Sequence, residues 1–197
     1  MPDVRRTVTQ KMNWMDLQVG DLINDNGIQF VVISREGNQA IIQQYDQIED
    51  HVFNEDESNE YKGSDLEKYV QGEYKKKFSA EFLQRCGDFF ILPEEMYEEN
   101  EYLKDPKNRI RYDSEGHSTW YWTSSPNVGY ANGVRYINPT GNVIGNYAYN
   151  GYGVAPACVL NLGICESAPT GAPETDSNTA LLNEIRDLLT EIAKAVY

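Results

Sequence analysis

Cysteine, histidine and long apolar runs are scarce in this 197-residue chain, and each scarcity removes a class of function. Three cysteines (Cys86, Cys158, Cys165) are odd in number and lack Cys-x-x-Cys spacing, which argues against a disulfide-framed scaffold or a thiolate zinc site. Reduced thiols in apolar surroundings are the simpler reading, with a Cys158 to Cys165 bridge as the alternative. The two histidines, His51 and His117, lie in unrelated segments without ligand spacing, so no metal and no cofactor is expected. There is no phosphate-binding loop, no dinucleotide fingerprint, no Gly-x-Ser-x-Gly and no His-Glu-x-x-His. No catalytic residue can therefore be named, and the chain reads as a non-enzyme. A carboxylate pair of the glycosidase kind is the enzymatic alternative, since acids are abundant and their separation is unreadable from sequence.

No window approaches the ~18 apolar residues of a membrane span, so no membrane insertion is expected. The start, Met-Pro-Asp-Val-Arg-Arg, lacks the apolar stretch of a secretory signal, which implies synthesis in a cytoplasm without a signal peptide. Positive charge is also short: 17 Lys and Arg against 31 Asp and Glu give a net charge of -14. The resulting field repels phosphate backbones, so nucleic acid is not an expected partner.

What is present suits a single folding unit with an appendage: 40% hydrophobic residues, 24% charged, and 14 tyrosines. Between Gln44 and Tyr61 stand seven acids (Asp46, Glu49, Asp50, Glu55, Asp56, Glu57, Glu60) and no Lys or Arg. A solvated loop is the plain reading, and a cation site such as calcium is the alternative. Upstream, Asp21 to Ile23, Ile28 to Ser34 and Gln39 to Gln43 alternate with turn signals at Asn24 to Gly27 and Arg35 to Asn38. That pattern predicts an N-terminal β-meander.

Downstream, Ser64-Asp65-Leu66-Glu67 has the form of a capping box, with Glu67 expected to reach back to the Ser64 amide. Leu66, Tyr69, Val70 and Tyr74 follow at helical spacing. Ser79 caps a second short helix through Gln84, with Phe78 and Leu83 at the spacing of a hydrophobic staple. Pro93 opens a third helix, Glu94 to Leu103.

From Trp120 to Gly153 the composition changes to six Asn, six Tyr and six Gly in 34 residues, with Arg135 the one charged residue. Short strands at Gly133 to Asn138, Val143 to Tyr147 and Pro156 to Leu162 are separated by turns such as Pro139-Thr140-Gly141-Asn142. Tyr offers a large amphipathic contact with two side-chain torsions, and Asn both donates and accepts hydrogen bonds. Together they suit an adaptable recognition surface. A glycine-punctuated sheet with half-buried tyrosines is the alternative.

Three runs in this region resemble a known pattern: Trp120-Tyr121-Trp122-Thr123-Ser124-Ser125-Pro126, then Ala131 to Val143, then Tyr152-Gly153-Val154-Ala155-Pro156-Ala157-Cys158-Val159-Leu160. The pattern is that of bacterial and phage proteins with a C-type-lectin-like fold, including variable proteins of diversity-generating retroelements and, more distantly, formylglycine-generating enzymes. The resemblance spans about residues 17–162, including the meander and Ile91 to Tyr97. It departs at Thr123-Ser124-Ser125 and at Ala155, where the family often carries Arg, and it lacks the Glu-Pro-Asn and Trp-Asn-Asp triplets of calcium-dependent sugar binding.

The resemblance implies an α+β, C-type-lectin-like domain over 1–165 that binds a protein or glycan on a cell surface through an Asn/Tyr-rich, hypervariable face. The ligand-facing residues it implies are Asn127, Tyr130, Asn132, Tyr136, Asn146, Tyr147, Tyr149, Asn150 and Tyr152. Trp120, Trp122, Gly133, Val143, Gly153 and Leu160 would hold the fold. A bacterial or phage origin, with association to a virion, follows from the same resemblance. The rival from another class is a structural fibre or decoration subunit of a virion.

The segment 166–177 is small, polar and Pro-bearing, which reads as a linker. In 178–197, Leu181, Ile185, Leu188, Ile192 and Ala195 form an amphipathic stripe at coiled-coil spacing. It predicts a helix that joins chains into a homo-oligomer, a trimer by preference, or that packs back on its own domain.

Overall fold

The structure, a computed structural model, describes residues 7–8 and 13–163. The expected linker, the expected C-terminal helix and Cys165 lie outside the described residues. The described fold is mixed α+β, mostly sheet with a few short helices. Among the described residues no helix is long and apolar enough to cross a membrane.

The meander forms as the turn signals predict. Strands β2 (Leu22–Asp25), β3 (Ile28–Glu36) and β4 (Gln39–Gln44) pair antiparallel in sequence. Asn26 and Gly27, both at positive φ, make the first turn, which lets β2 run on through Asp25. With β1 (Thr7–Val8) and β12 (Ala157–Asn161) they make a five-stranded sheet in the order β1-β2-β3-β4-β12. Phe30, Val31, Val32 and Ile33 are all buried because this sheet is covered on both sides. Phe30 and Val32 face one core, with Leu66, Phe78, Phe82, Phe89 and Trp122. Val31 and Ile33 face the other, with Leu92, Tyr97, Leu103, Tyr121 and Ile137.

Two short helices close the first core, and a third packs on the second. In α1 (Asp65–Gln71) the Ser64 hydroxyl accepts the Glu67 amide at 3.1 Å, as the capping box requires. The return bond differs from expectation: Glu67 accepts the Gly63 amide at 2.6 Å, because the Ser64 amide is engaged by the Tyr61 carbonyl. In α2 (Ala80–Arg85) Ser79 caps the Phe82 amide and is itself held by Asp25. Phe78 packs chiefly on the rings of Phe30, Tyr74, Phe82 and Phe89, which lie 5.0–5.5 Å away. The third helix, α3 (Glu94–Glu99), ends four residues before the expected Leu103. Asn100 stops it, since its carboxamide oxygen accepts the amides of Tyr102 and Leu103 and offers the backbone an alternative to helix.

The acidic run is not one loop. Its middle forms β5 (Asp50–Val52), an edge of the second five-stranded sheet. The others are β8 (Tyr121–Pro126), β9 (Gly133–Ile137), β10 (Val143–Tyr147) and β11 (Gly151–Gly153), in the order β10-β9-β8-β11-β5. A small ribbon of β6 (Arg111–Tyr112) and β7 (Ser118–Thr119) stands apart. The two described thiols are free, as the simpler reading expects. Cys158 is fully buried and interacts with Cys86, whose backbone bridges Leu160, so the neighbour of Cys158 among the described residues is Cys86.

One turn of the second sheet depends on an absent side chain. Gly141 lies at φ +84, and a Cβ there would overlap the Pro106 carbonyl. Gly141→Ala should cost about 2–5 kcal/mol, the sum of a left-handed conformation and an overpacked contact. Gly151→Ala meets nothing within 4 Å. It should change stability by less than about 1 kcal/mol, toward greater stability. Urea unfolding of both variants checks the contrast.

Candidate functional site

Strand phase decides which of the Asn- and Tyr-rich residues reach solvent. In β9, Val134 and Tyr136 point inward to the first core, and Tyr136 pairs across to Trp122 on β8 and Ile144 on β10. Tyr136 is 6% exposed, so it is a core ring and not the ligand-facing residue expected of it. It stacks on Tyr152 at 4.5 Å, and both lie against Trp122, Tyr152 edge-on at 4.8 Å. Tyr152 is half-buried there, and its hydroxyl accepts the Asn146 amide. Trp120 is the opposite correction: expected to hold the fold, it lies just ahead of β8 and is 45% exposed. Val143 is half-buried, while Trp122, Gly133, Gly153 and Leu160 are buried as expected.

Burial pushes the Tyr136 phenol up to about 12, and the neighbouring Tyr152 adds to it. The fold therefore favours the neutral phenol. Its contribution is intact below the ordinary value near 10 and is lost as pH rises toward about 12. Unfolding free energy should fall across that window, and Tyr136→Phe should make the fall shallower, as read by denaturant titration at successive alkaline pH values.

Above this buried layer, the remaining residues gather at one end of the second sheet. The loop 127–132 leaves β8 and returns to β9 through bonds between Asn127 and Gly133 (2.8 Å) and between Gly133 and Tyr130 (3.0 Å). The Asn127 side chain lies over Gly133 and Gly145, and a Cβ on Gly145 would collide with it. The Ala148 amide donates to the Asn132 carbonyl at 2.8 Å, which ties the end of β10 to this loop. Tyr147 and Tyr149, on either side of Ala148, stack with rings 5.4 Å apart and 6° from parallel. Asn150 turns back by donating its amide to the Tyr147 carbonyl at 3.1 Å.

The exposures are unusual for apolar groups. Val128 is 90% exposed, Tyr130 62%, and Tyr147 and Tyr149 46% each. With Trp120 and Ile144 they account for every large hydrophobic side chain exposed among the described residues except Val19. Val128, Tyr130, Tyr147 and Tyr149 group at the loop end of the sheet, and such a grouping of exposed apolar groups marks an interaction site. The structure thus brings together exposed Tyr130, Tyr147 and Tyr149 with Asn127, Asn132 and Asn150, which are half-buried, as is Asn146 at their border.

A second segment joins them that the sequence reading left aside. The amides of Phe53 and Asn54 both donate to the Ala148 carbonyl at 3.1 Å, and the Asn59 carboxamide donates to the Tyr130 carbonyl at 2.9 Å. The loop 54–60 is therefore pinned at both ends against the tyrosines. It brings exposed Glu55, Asp56, Glu57 and Glu60 beside them. The acidic run was visible in the sequence, but its pairing with residues some 70 positions away was not. The patch itself adds no free charge, because Arg135 is held by Glu94 through two bonds of 2.9 and 2.8 Å.

An open cleft of about 460 Å³ lies elsewhere, lined by Tyr45, Asp46, Gln47, Tyr112, Asp113 and Glu115 among others. Burial raises Asp46, and burial and then Asp113 raise Asp50. Asp46 accepts the Gln29 amide, and Asp113 accepts the amides of Glu115 and His117, so these carboxylates brace their own loops. Among the described residues no three His, Cys, Asp or Glu side chains are grouped to hold a metal ion.

A family model described as a domain of unknown function (DUF6273) matches residues 90–162, well under half of the chain. The matched span contains the tyrosine patch and stops short of the acidic loop. No curated protein and no solved structure matches.

Proposed function

We propose that this chain is a ligand- or receptor-binding protein, and that Tyr130, Tyr147 and Tyr149, with Val128 and the surrounding asparagines, make the contact. The observation that carries the reading is the layering. Tyr136, Tyr152 and Trp122 fill the core below, while the next tier of rings is held in defined positions and left in solvent. Rings fixed before binding lose little entropy on contact, which suits a recognition surface. Exposed phenols, amides and backbone groups bind by shape and hydrogen bonding, so the reading is of binding and not of catalysis.

The finer reading is a C-type-lectin-like fold with a variable face. It is supported by the Trp120 to Pro126, Ala131 to Val143 and Tyr152 to Leu160 runs, together with short helices packed on two sheets. Several face positions are Asn or Tyr on loop and strand ends, where substitution leaves the buried layer intact. Self-association through 178–196 rests on the apolar stripe of that segment, and linked copies would raise avidity for a repeated target.

The test is selection of a randomised 12-residue peptide library on the full chain, followed by affinity measurement on variants. Tyr130→Ala, Tyr147→Ala and Tyr149→Ala combined should weaken the selected peptides about 30-fold or more, as loss of interface hot spots does. Val19→Ala, an exposed apolar side chain outside the patch, should leave them within about threefold. Undiminished binding to the triple variant would overturn the reading.

A further inference from the structure

We infer that the occupant of this surface is a basic protein segment, one that presents Arg or Lys next to an aromatic or apolar side chain. The inference rests on the reading of the patch as a binding surface and names the chemistry of what it binds.

The loop 54–60 is a fixed part of the patch and not a loose neighbour. One end is clamped to the carbonyl of Ala148, the residue that joins Tyr147 to Tyr149, whose rings stack on each other. The other is clamped to the carbonyl of Tyr130. Phe53 is buried edge-on against Trp122, 5.6 Å between ring centres, so the loop leaves the core from a rigid root.

The loop side chains differ from those acids that are neutralised by a cation. Elsewhere Glu49, Asp65, Glu73, Asp88, Glu94 and Glu101 each pair with a Lys or Arg. Glu55, Asp56, Glu57 and Glu60 are exposed, and no ion pair among the described residues uses them. Lys62 is the first cation after them, beyond Tyr61. Four carboxylates within six residues repel one another, and a bound cation relieves that repulsion.

The two halves of the surface then call for one ligand. A guanidinium or ammonium over a tyrosine face gains a cation–π contact, and neighbouring carboxylates both steer and hold the same charge. A neutral sugar would stack on the rings and donate hydroxyls to the carboxylates but leave their mutual repulsion unrelieved. An anionic glycan, a nucleic acid or an anionic membrane would be repelled by the loop.

The experiment is fluorescence anisotropy on the full chain with labelled 12-residue peptides of repeating Arg-Tyr-Gly, and with the matching Glu-Tyr-Gly peptide. The loop set is Glu55→Gln, Asp56→Asn, Glu57→Gln and Glu60→Gln. The control removes four charges on β3, α2 and α3: Glu36→Gln, Glu81→Gln, Glu98→Gln and Glu99→Gln. The Arg peptide should bind and the Glu peptide should not. The loop set should weaken the Arg peptide tenfold or more, and the control set less than threefold. Equal weakening by both sets would mean attraction to the overall negative charge and would overturn the inference, as would equal binding of the two peptides. Library-selected peptides that lose affinity on the tyrosine variant but keep it on the loop set would sink the basic occupant alone. Peptides indifferent to both variants would sink the binding surface as well.

Discussion

Everything at the candidate surface is referred to Trp122. Its indole N–H donates to the His51 carbonyl at 2.9 Å, and its ring lies against Phe53, Tyr136 and Tyr152. A buried indole without a partner for its N–H is costly, so this bond ties β5 to β8 across the intervening β11. Because Phe53 follows β5 directly, fixing the strand fixes the root of the acidic loop. Because Tyr136 and Tyr152 share the same face, their packing fixes β9 and β11. The exposed tyrosines are one layer removed from this ring and inherit its rigidity.

The other side of the second sheet is held by a different device, a buried cation without a carboxylate. Arg111 is fully buried, and its guanidinium donates to the carbonyls of Asn108 and Ile110 and to the Gln43 side chain. Gln43 in turn donates to the Tyr97 hydroxyl and the Ala155 carbonyl. Burial raises the Tyr97 phenol, which keeps it a neutral member of this network. The network joins β4, α3, β6 and the segment ahead of β12 through side chains, with the Arg111 Nε left without a hydrogen-bond partner among the described residues. The Glu94 to Arg135 pair then ties α3 to β9, so the helices brace the strands whose far ends carry the patch.

Much of the scaffold was legible in the sequence because its signals are local. Asn26-Gly27 forces a turn by its own backbone preferences, and Ser64 and Ser79 cap helices three residues away. The character of the candidate surface was legible as composition, but its membership was not. Tyr136 and Tyr147 are alike in sequence and opposite in fate, since strand phase and neighbouring strands bury one and expose the other. Trp120 and Trp122 also divide, because Trp120 lies ahead of the strand that buries Trp122. The acidic loop was legible only as charge, because its place depends on bonds to Ala148 and Tyr130 that no local pattern encodes. The end of α3 fell short of its apolar pattern because one Asn side chain competed with the helix for backbone amides.

The central claim is that the outer tyrosines serve contact while the inner aromatic layer serves folding. The most direct measurement is the urea unfolding free energy of the full chain with Tyr130, Tyr147 and Tyr149 all changed to Ala, set beside Trp122→Ala. The result expected is that the triple variant stays within about 1 kcal/mol of the parent, as surface changes do, while Trp122→Ala loses about 3–5 kcal/mol. A loss of several kcal/mol in the triple variant would contradict the claim, because the outer rings would then be holding the sheet together and not waiting for a ligand.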